Sequence, residues 1–465
     1  MDISANILFI VFAGIAVSYG WGMRGTIIGG EKGAMLPGAL MGLLMALFSG
    51  SDVLTSSPWI LAGAGALSMY CGGCMTYGET LHLSMHEANS PTLKKGLLAL
   101  FVKGGIWFGL FGGLISMFIS AIAGLYELWQ IILFFCLLPV FALTFYFIFN
   151  KPLGPAENKF PKIYFSIKRQ ESWGGLLGIL IEIIIFASLK KDLSSLAMIL
   201  GAFVSGAVGW VIAQMLQIRA RHPGKNGKRL FEKLHKKDAV EAWKLMECTL
   251  GAIGGMGCAV TFILAKPLFA EKLNLIDADG LHSYIAESKI TFLLTIVYLV
   301  ILFADYIQYL ITPKETSGYK KYKKLCNDTE FAIYSIIPLF AGMLGAHKII
   351  EIVAVPLVLH VLAQELLEKE ITHKKATVFS KIIYLLPFVT SLIYTFVFKK
   401  SFSLYLTLFI YSFIYESAYY QMKKIEENGI TFSNGEKAVH GYFSVCCVLI
   451  LLIELFILLL GENIC

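Results

Sequence analysis

Charge is what this chain has least of. Only 15% of its residues are Asp, Glu, Lys or Arg, against about a quarter in soluble domains. With 57% hydrophobic residues and a mean hydropathy of +0.70, it needs lipid as solvent, which excludes an ordinary water-soluble catalytic domain. Nine cysteines are too few and too scattered for a disulfide scaffold. Cys136, Cys258, Cys446 and Cys447 lie inside apolar runs, where a thiol behaves as a small hydrophobe. No alternating ten-residue pattern points to a membrane barrel. The GxxxxGK[ST] order of a phosphate-binding loop is missing, which argues against an ATP-driven pump in one chain. The first apolar run has only Asp2 before it and neither a basic leader nor an A-x-A site. A cleaved signal peptide is not expected, and Met1 onward should belong to the mature protein.

What is present are apolar runs of about 17 to 25 residues, long enough to cross ~30 Å of hydrocarbon as helix. They fall near 5–21, 34–50, 58–78, 98–124, 129–149, 173–189, 194–217, 246–266, 290–312, 331–346, 349–366, 379–398, 402–420 and 441–461. The expected fold is an all-α polytopic membrane bundle of about fourteen transmembrane helices. If every loop after an odd-numbered span faces the cytoplasm, that side collects 31 of the 39 basic residues. Such a bias places both termini outside the cytoplasm of a bacterial-type plasma membrane. The same bias accounts for the net charge of +7, so nucleic acid is not an expected partner. The stretch around Asp277, Asp279 and Glu287 is read as an external loop, with Lys266 and Lys272 on the same side.

Glycine suggests an internal duplication. Gly38 and Gly42 form a GxxxG pair in the second span, as Gly174 and Gly178 do in the sixth; Gly109, Gly112 and Gly113 recur as Gly251, Gly254 and Gly255 at identical spacing. The reading is a parallel tandem repeat of four helices, 1–127 and 128–268, followed by a bulky six-helix portion over 269–465. The plainer alternative is that glycine-rich membrane helices resemble one another because all pack closely.

Several polar residues stand out against this background. Six glycines between Gly20 and Gly33 oppose a regular helix and suggest either a turn or a re-entrant loop with Arg24 and Glu31 as its polar contacts. Glu79, His82 and His86 occupy i, i+3 and i+7 after the third span, so on a continuing helix a carboxylate and two imidazoles share one face. That face suits a proton relay or general acid/base work; it also suits an amphipathic helix end in water. Cys71 and Cys74 lie close by, but a four-ligand site needs a second cluster at standard spacing. Neither a metal site nor a cofactor is expected.

Ionisable residues inside spans are costly and mark function or a hydrogen bond between helices. Glu182 is the clearest, because its neighbours Ile181, Ile183, Ile184 and Ile185 give it no local partner. Glu247, Asp305, Glu416, Glu454, Gln214, Gln217 and His360 are further cases. The segment from Arg219 to Lys244 carries nine basic and three acidic residues, which suits anionic lipid headgroups or an anionic substrate.

Two functions fit. One is a secondary transporter or flippase for a polar or anionic solute, with Glu182 and Glu79 as proton-coupling candidates and Arg24 as an anion contact. The other is a membrane-embedded acyl or glycosyl transferase acting on a lipid or lipid-linked substrate, with Glu79, His82 and His86 as the acid/base set. In both, the partners are membrane lipids and a small or lipid-linked substrate.

Overall fold

Runs of Leu, Ile, Phe, Ala and Gly with no internal charge favour helices, because in hydrocarbon each backbone N–H and C=O must be satisfied within its own segment. The computed structural model describes residues 3–24, 33–73, 75, 80–81, 91–150, 163, 165, 171–221, 242–285, 335–347 and 349–350, and every regular element among them is helical. In chain order they are α1 (Ile3–Arg24), α2 (Met35–Leu47), a one-turn α3 (Asp52–Ser56), α4 (Pro58–Gly73), α5 (Pro91–Ile122), α6 (Leu128–Phe149), α7 (Trp173–Leu189), α8 (Leu193–Arg221), α9 (Ala242–Asp279) and the short α10 (Ile337–Met343). Five of them, α1, α5, α6, α8 and α9, are long and apolar enough to cross a membrane.

The centre of the bundle is α5. From Lys103 to Ile122 every residue is buried, with α8 covering its longest face and α4, α7 and α9 covering others. The outer helices show lipid-facing stripes. Ile3, Ile7, Val11 and Ile15 on α1 are exposed at four-residue intervals, as are Leu200, Val204, Val208 and Ile212 on α8 and Met256, Val260, Leu264 and Leu268 on α9. Apolar side chains exposed at that spacing form one continuous face per helix, suited to acyl chains. Between Leu128 and Phe149, α6 buries only Ile131, Phe134 and Leu138, so it is a peripheral helix.

Glycine sets the closeness of the inner helices. A Cβ on Gly38 of α2 would collide with the carbonyl oxygen of Gly65 on α4, and a Cβ on Gly65 with that of Gly38. Gly104 of α5 and Gly206 of α8 approach in the same way, while Gly251 and Gly255 of α9 lie on the backbone of Val17 and Ala13 in α1. The two GxxxG pairs serve different partners: Gly38 and Gly42 pack on α4, whereas Gly174 and Gly178 of α7 pack on α6 at Phe141 and Phe145.

Tertiary contacts show the helices alternating in direction. Ser51 donates to the Asp277 carboxylate at 2.6 Å, and the His282 backbone N–H bonds to the Ile122 carbonyl at 2.7 Å, gathering one set of helix ends. Lys244 reaches the Gly22 carbonyl at 2.6 Å at the opposite end.

Three expectations need correction. The segment expected to leave regular helix at Gly20 stays in α1 through Arg24. Gly20 serves close packing instead, since a Cβ there would lie 2.7 Å from the Pro37 Cα of α2. The eighth span, expected to stop at residue 266, continues through Pro267 to Asp279; packing of the buried Phe269, Leu273 and Ile276 outweighs the single hydrogen bond lost at proline. The second and third spans are shorter than expected, at 13 and 16 residues. At ~1.5 Å per residue neither reaches across ~30 Å, and neighbouring helices cover them: α2 is buried from Met35 to Ala46 and α4 from Ile60 to Gly73.

The glycine contacts separate two substitutions. Gly38→Ala should destabilise the folded protein by about 1–3 kcal/mol through backbone collision. Gly109→Ala meets side chains alone, the Leu180 methyls at 3.3 and 3.4 Å and the Phe203 ring at 3.4 Å, and should be neutral or stabilising by up to about 1 kcal/mol. Thermal unfolding of the two variants in detergent, monitored by size-exclusion chromatography, gives the comparison.

Candidate functional site

Alanine, glycine and serine dominate where α5, α8 and α9 meet, and the few charges admitted there are paired. Asp192, in the turn between α7 and α8, caps α8 by accepting the Ser195 backbone N–H at 3.0 Å. Its carboxylate also accepts from Ser194 at 2.8 Å, Ser195 at 2.7 Å and Ser120 at 2.6 Å, and pairs with Lys272 of α9 at 2.7 Å. Lys272 donates to the Ser120 hydroxyl as well. Burial alone would raise the Asp192 pKa; the Lys272 ammonium and the Lys272, Ser120 and Ser195 hydrogen bonds more than offset it and hold the carboxyl at about 2. Burial beside Asp192 pushes the Tyr126 hydroxyl up. The turn holding Asp192 is itself unusual, because Lys191 adopts φ 55°, where glycine is commonest.

Lys103, twelve residues into α5, is buried and lies 2.6 Å from Glu171, which stands two residues before α7 and is equally buried. Lys103 also donates to the Thr80 hydroxyl at 2.8 Å, and Glu171 accepts the Phe165 backbone N–H at 3.1 Å. Glu171 and Asp192 flank α7, whose 17 residues rise about 26 Å at ~1.5 Å per residue. The two ion pairs therefore stand at opposite ends of this helix.

Glu182 lies on α7 about midway between those pairs. It is fully buried, and neither carboxylate oxygen has a hydrogen-bond partner among the described residues. Gly178 and Gly174, one and two turns before it on the same face, pack against α6. Pro139 within α6 lacks the N–H that would bond to the Phe135 carbonyl.

Gln214 and Gln217 form a second unpartnered group. Both are fully buried, and none of their amide atoms has a partner among the described residues. Gln214 continues the row Met198, Ala202, Gly206 and Trp210, whose glycine and neighbours pack on α5. Gln217 continues the row Gly201, Ser205 and Gly209, which packs on α9 at Thr261, Gly257 and Ile253. One to two turns from these amides is an aromatic cluster, with Trp21 of α1 4.9 Å from Trp107, 6.0 Å from Phe108 and 6.2 Å from Trp210. Glu247, at the start of α9 on this same end, pairs with Lys244 at 3.4 Å.

The structure thus brings Gln214, Gln217 and Glu247 to one end of the bundle and leaves Glu182 apart in the α6–α7 interface. Arg24 is the last residue of α1. Glu31, Glu79, His82, His86, Asp305 and Glu416 lie outside the described residues, as do His360 and Glu454. The buried pairs were missed in the sequence. Neither Lys103 nor Lys272 has an acidic residue at i±4, so the partner of each is distant in sequence. Among the described residues no group of His, Cys, Asp and Glu is placed to hold a metal ion.

Removing one member of the Lys272–Asp192 pair leaves a buried charge, so Lys272→Met should cost about 3–5 kcal/mol, and adding Asp192→Asn should recover part of it. The pH dependence follows from Asp192 being held below its ordinary value: its contribution is complete above about pH 4 and is lost as pH falls through about 2. The stability gap between wild type and Asp192→Asn should therefore be constant from neutral pH down to about 4 and narrow below it, measured by chemical denaturation in detergent. No protein-family model, curated protein or solved structure matches this chain.

Proposed function

We propose that the protein is a proton-coupled secondary transporter, or flippase, for a polar or anionic solute in a bacterial-type plasma membrane. The observation that carries this reading is Glu182, a fully buried carboxyl with no partner among the described residues, midway between two buried ion pairs. A buried carboxyl without a counter-ion has no structural benefit to offset its burial, whereas a carrier that binds and releases protons requires such a group.

In this reading the Lys103–Glu171 and Lys272–Asp192 pairs hold the two ends of the helix bundle closed in turn. The glycine contacts, which have no side chains to interlock, are the seams along which helices slide. Arg24 and the basic segment from Arg219 to Lys244 draw solute to the cytoplasmic end, and Glu79 is a second coupling candidate. In this reading the full chain has about fourteen membrane helices, of which α2 and α4 cross only part of the layer, with 1–127 and 128–268 as two parallel four-helix units and both termini outside the cytoplasm.

The test is solute uptake into proteoliposomes holding the purified protein, with and without an imposed pH gradient. Wild type should accumulate solute only with the gradient. Glu182→Gln should lose accumulation while keeping its thermal stability, because the amide keeps the shape and removes the titrating group. Gradient-driven uptake unchanged in Glu182→Gln would overturn the coupling role. Absence of flux for every solute class, with lipid turnover that disappears in His82→Ala, would overturn transport in favour of a membrane transferase.

A further inference from the structure

We propose that Gln214 and Gln217, beside the Trp21, Trp107 and Trp210 cluster, form a binding site for an uncharged, multiply hydroxylated ring such as a sugar or cyclitol. This deepens the transport reading, on which the identity of the occupant as the transported solute rests.

Three observations carry it. Each glutamine amide offers one acceptor and two donors, and in both residues all of them are buried without a partner among the described residues. A buried amide left in that state costs free energy, so two within one helical turn need a partner that supplies donors and acceptors together. Hydroxyl groups do so, since each gives one proton and accepts at its lone pairs.

The second observation is the placement of the amides. Gln214 lies on the row of α8 that faces α5 and Gln217 on the row that faces α9, and Trp210, one turn before Gln214, meets Trp21 of α1 at 6.2 Å. Indole rings beside convergent amides supply a flat apolar wall for the C–H face of a ring, while the amides address its edge.

The third is charge. Lys244 and Glu247 pair with each other at 3.4 Å, Lys244 also bonds to the Gly22 carbonyl at 2.6 Å, and Arg221 lies over the Trp243 ring at 5.3 Å. Among the described residues, Lys244, Glu247 and Arg221 are engaged within the protein, and amides, which carry donors and acceptors but no charge, suit a neutral hydroxylated group.

The experiment is equilibrium binding to the full-length protein in detergent, read by quenching of tryptophan fluorescence. The probes are inositol, glucose and N-acetylglucosamine, with glucose 6-phosphate and gluconate as charged comparators. At least one neutral probe should quench saturably. Its affinity should fall about tenfold or more in Gln214→Leu and in Gln217→Leu, since each loses hydrogen bonds to the ligand. Glu182→Gln should bind as wild type does.

Without ligand, each leucine variant should melt higher than wild type by about 1–2 °C, because it removes unpartnered buried amide atoms. Saturation by charged probes alone, no saturable quenching by a neutral probe, or affinity unchanged in the leucine variants would overturn the proposal. A lower melting temperature in those variants would also overturn it, by showing that the amides are structural. Binding without flux in proteoliposomes would remove the transport reading and leave this site, whereas flux without neutral-probe binding would remove this site and leave transport.

Discussion

In hydrocarbon, helices gain little by hiding apolar surface from one another, because lipid tails are as apolar as leucine. Association depends on how closely two backbones can approach. In this protein that approach is made at glycine: Gly38 on Gly65, Gly104 on Gly206, and Gly251 with Gly255 on the backbone of α1. These contacts draw α2, α4, α8 and α9 inward and leave α5 buried from Lys103 to Ile122. The same economy of side chains lets α2 and α4 be shorter than a membrane crossing, since longer neighbours stand between them and lipid.

Among the described residues, most buried charge is matched. Lys103 pairs with Glu171 before α7 and Lys272 with Asp192 after it, each supported by hydroxyl or backbone hydrogen bonds. Buried pairs of this kind add little net stability, but losing one partner is costly, so they define where the helix ends must sit. The unmatched groups are fewer and more informative. Glu182 and the two glutamines are buried at positions where an apolar residue would pack at lower cost.

These unmatched groups occupy separate places. Glu182 faces the peripheral α6 with its internal Pro139, while Gln214 and Gln217 face the centre near the tryptophans. The proposed transport role needs sites for both coupled species on linked elements; α7 and α8 adjoin at the Asp192 turn, which joins the helix of Glu182 to that of the glutamines.

The helical class, and a helix within each of the first eight apolar runs, follow from sequence, because the length and purity of an apolar run dictate a helix in lipid; several of the helix ends do not. Glu182 could be recognised in the same way, as a carboxylate flanked by isoleucine. Gln214 and Gln217 could be named from sequence as polar residues in a span, but not as unpartnered ones, since that depends on which neighbours α5 and α9 present to them. The role of Gly20 was hidden because glycine opposes helix locally and yet permits helix packing; only the position of Pro37 decides between the two. Lys103 and Lys272 were likewise illegible, because their partners are 68 and 80 positions away. Run length and hydropathy are properties of the local chain and determined the class of this protein. Pairing of charge and closeness of backbones are properties of segments distant in sequence, and only the tertiary structure decided them.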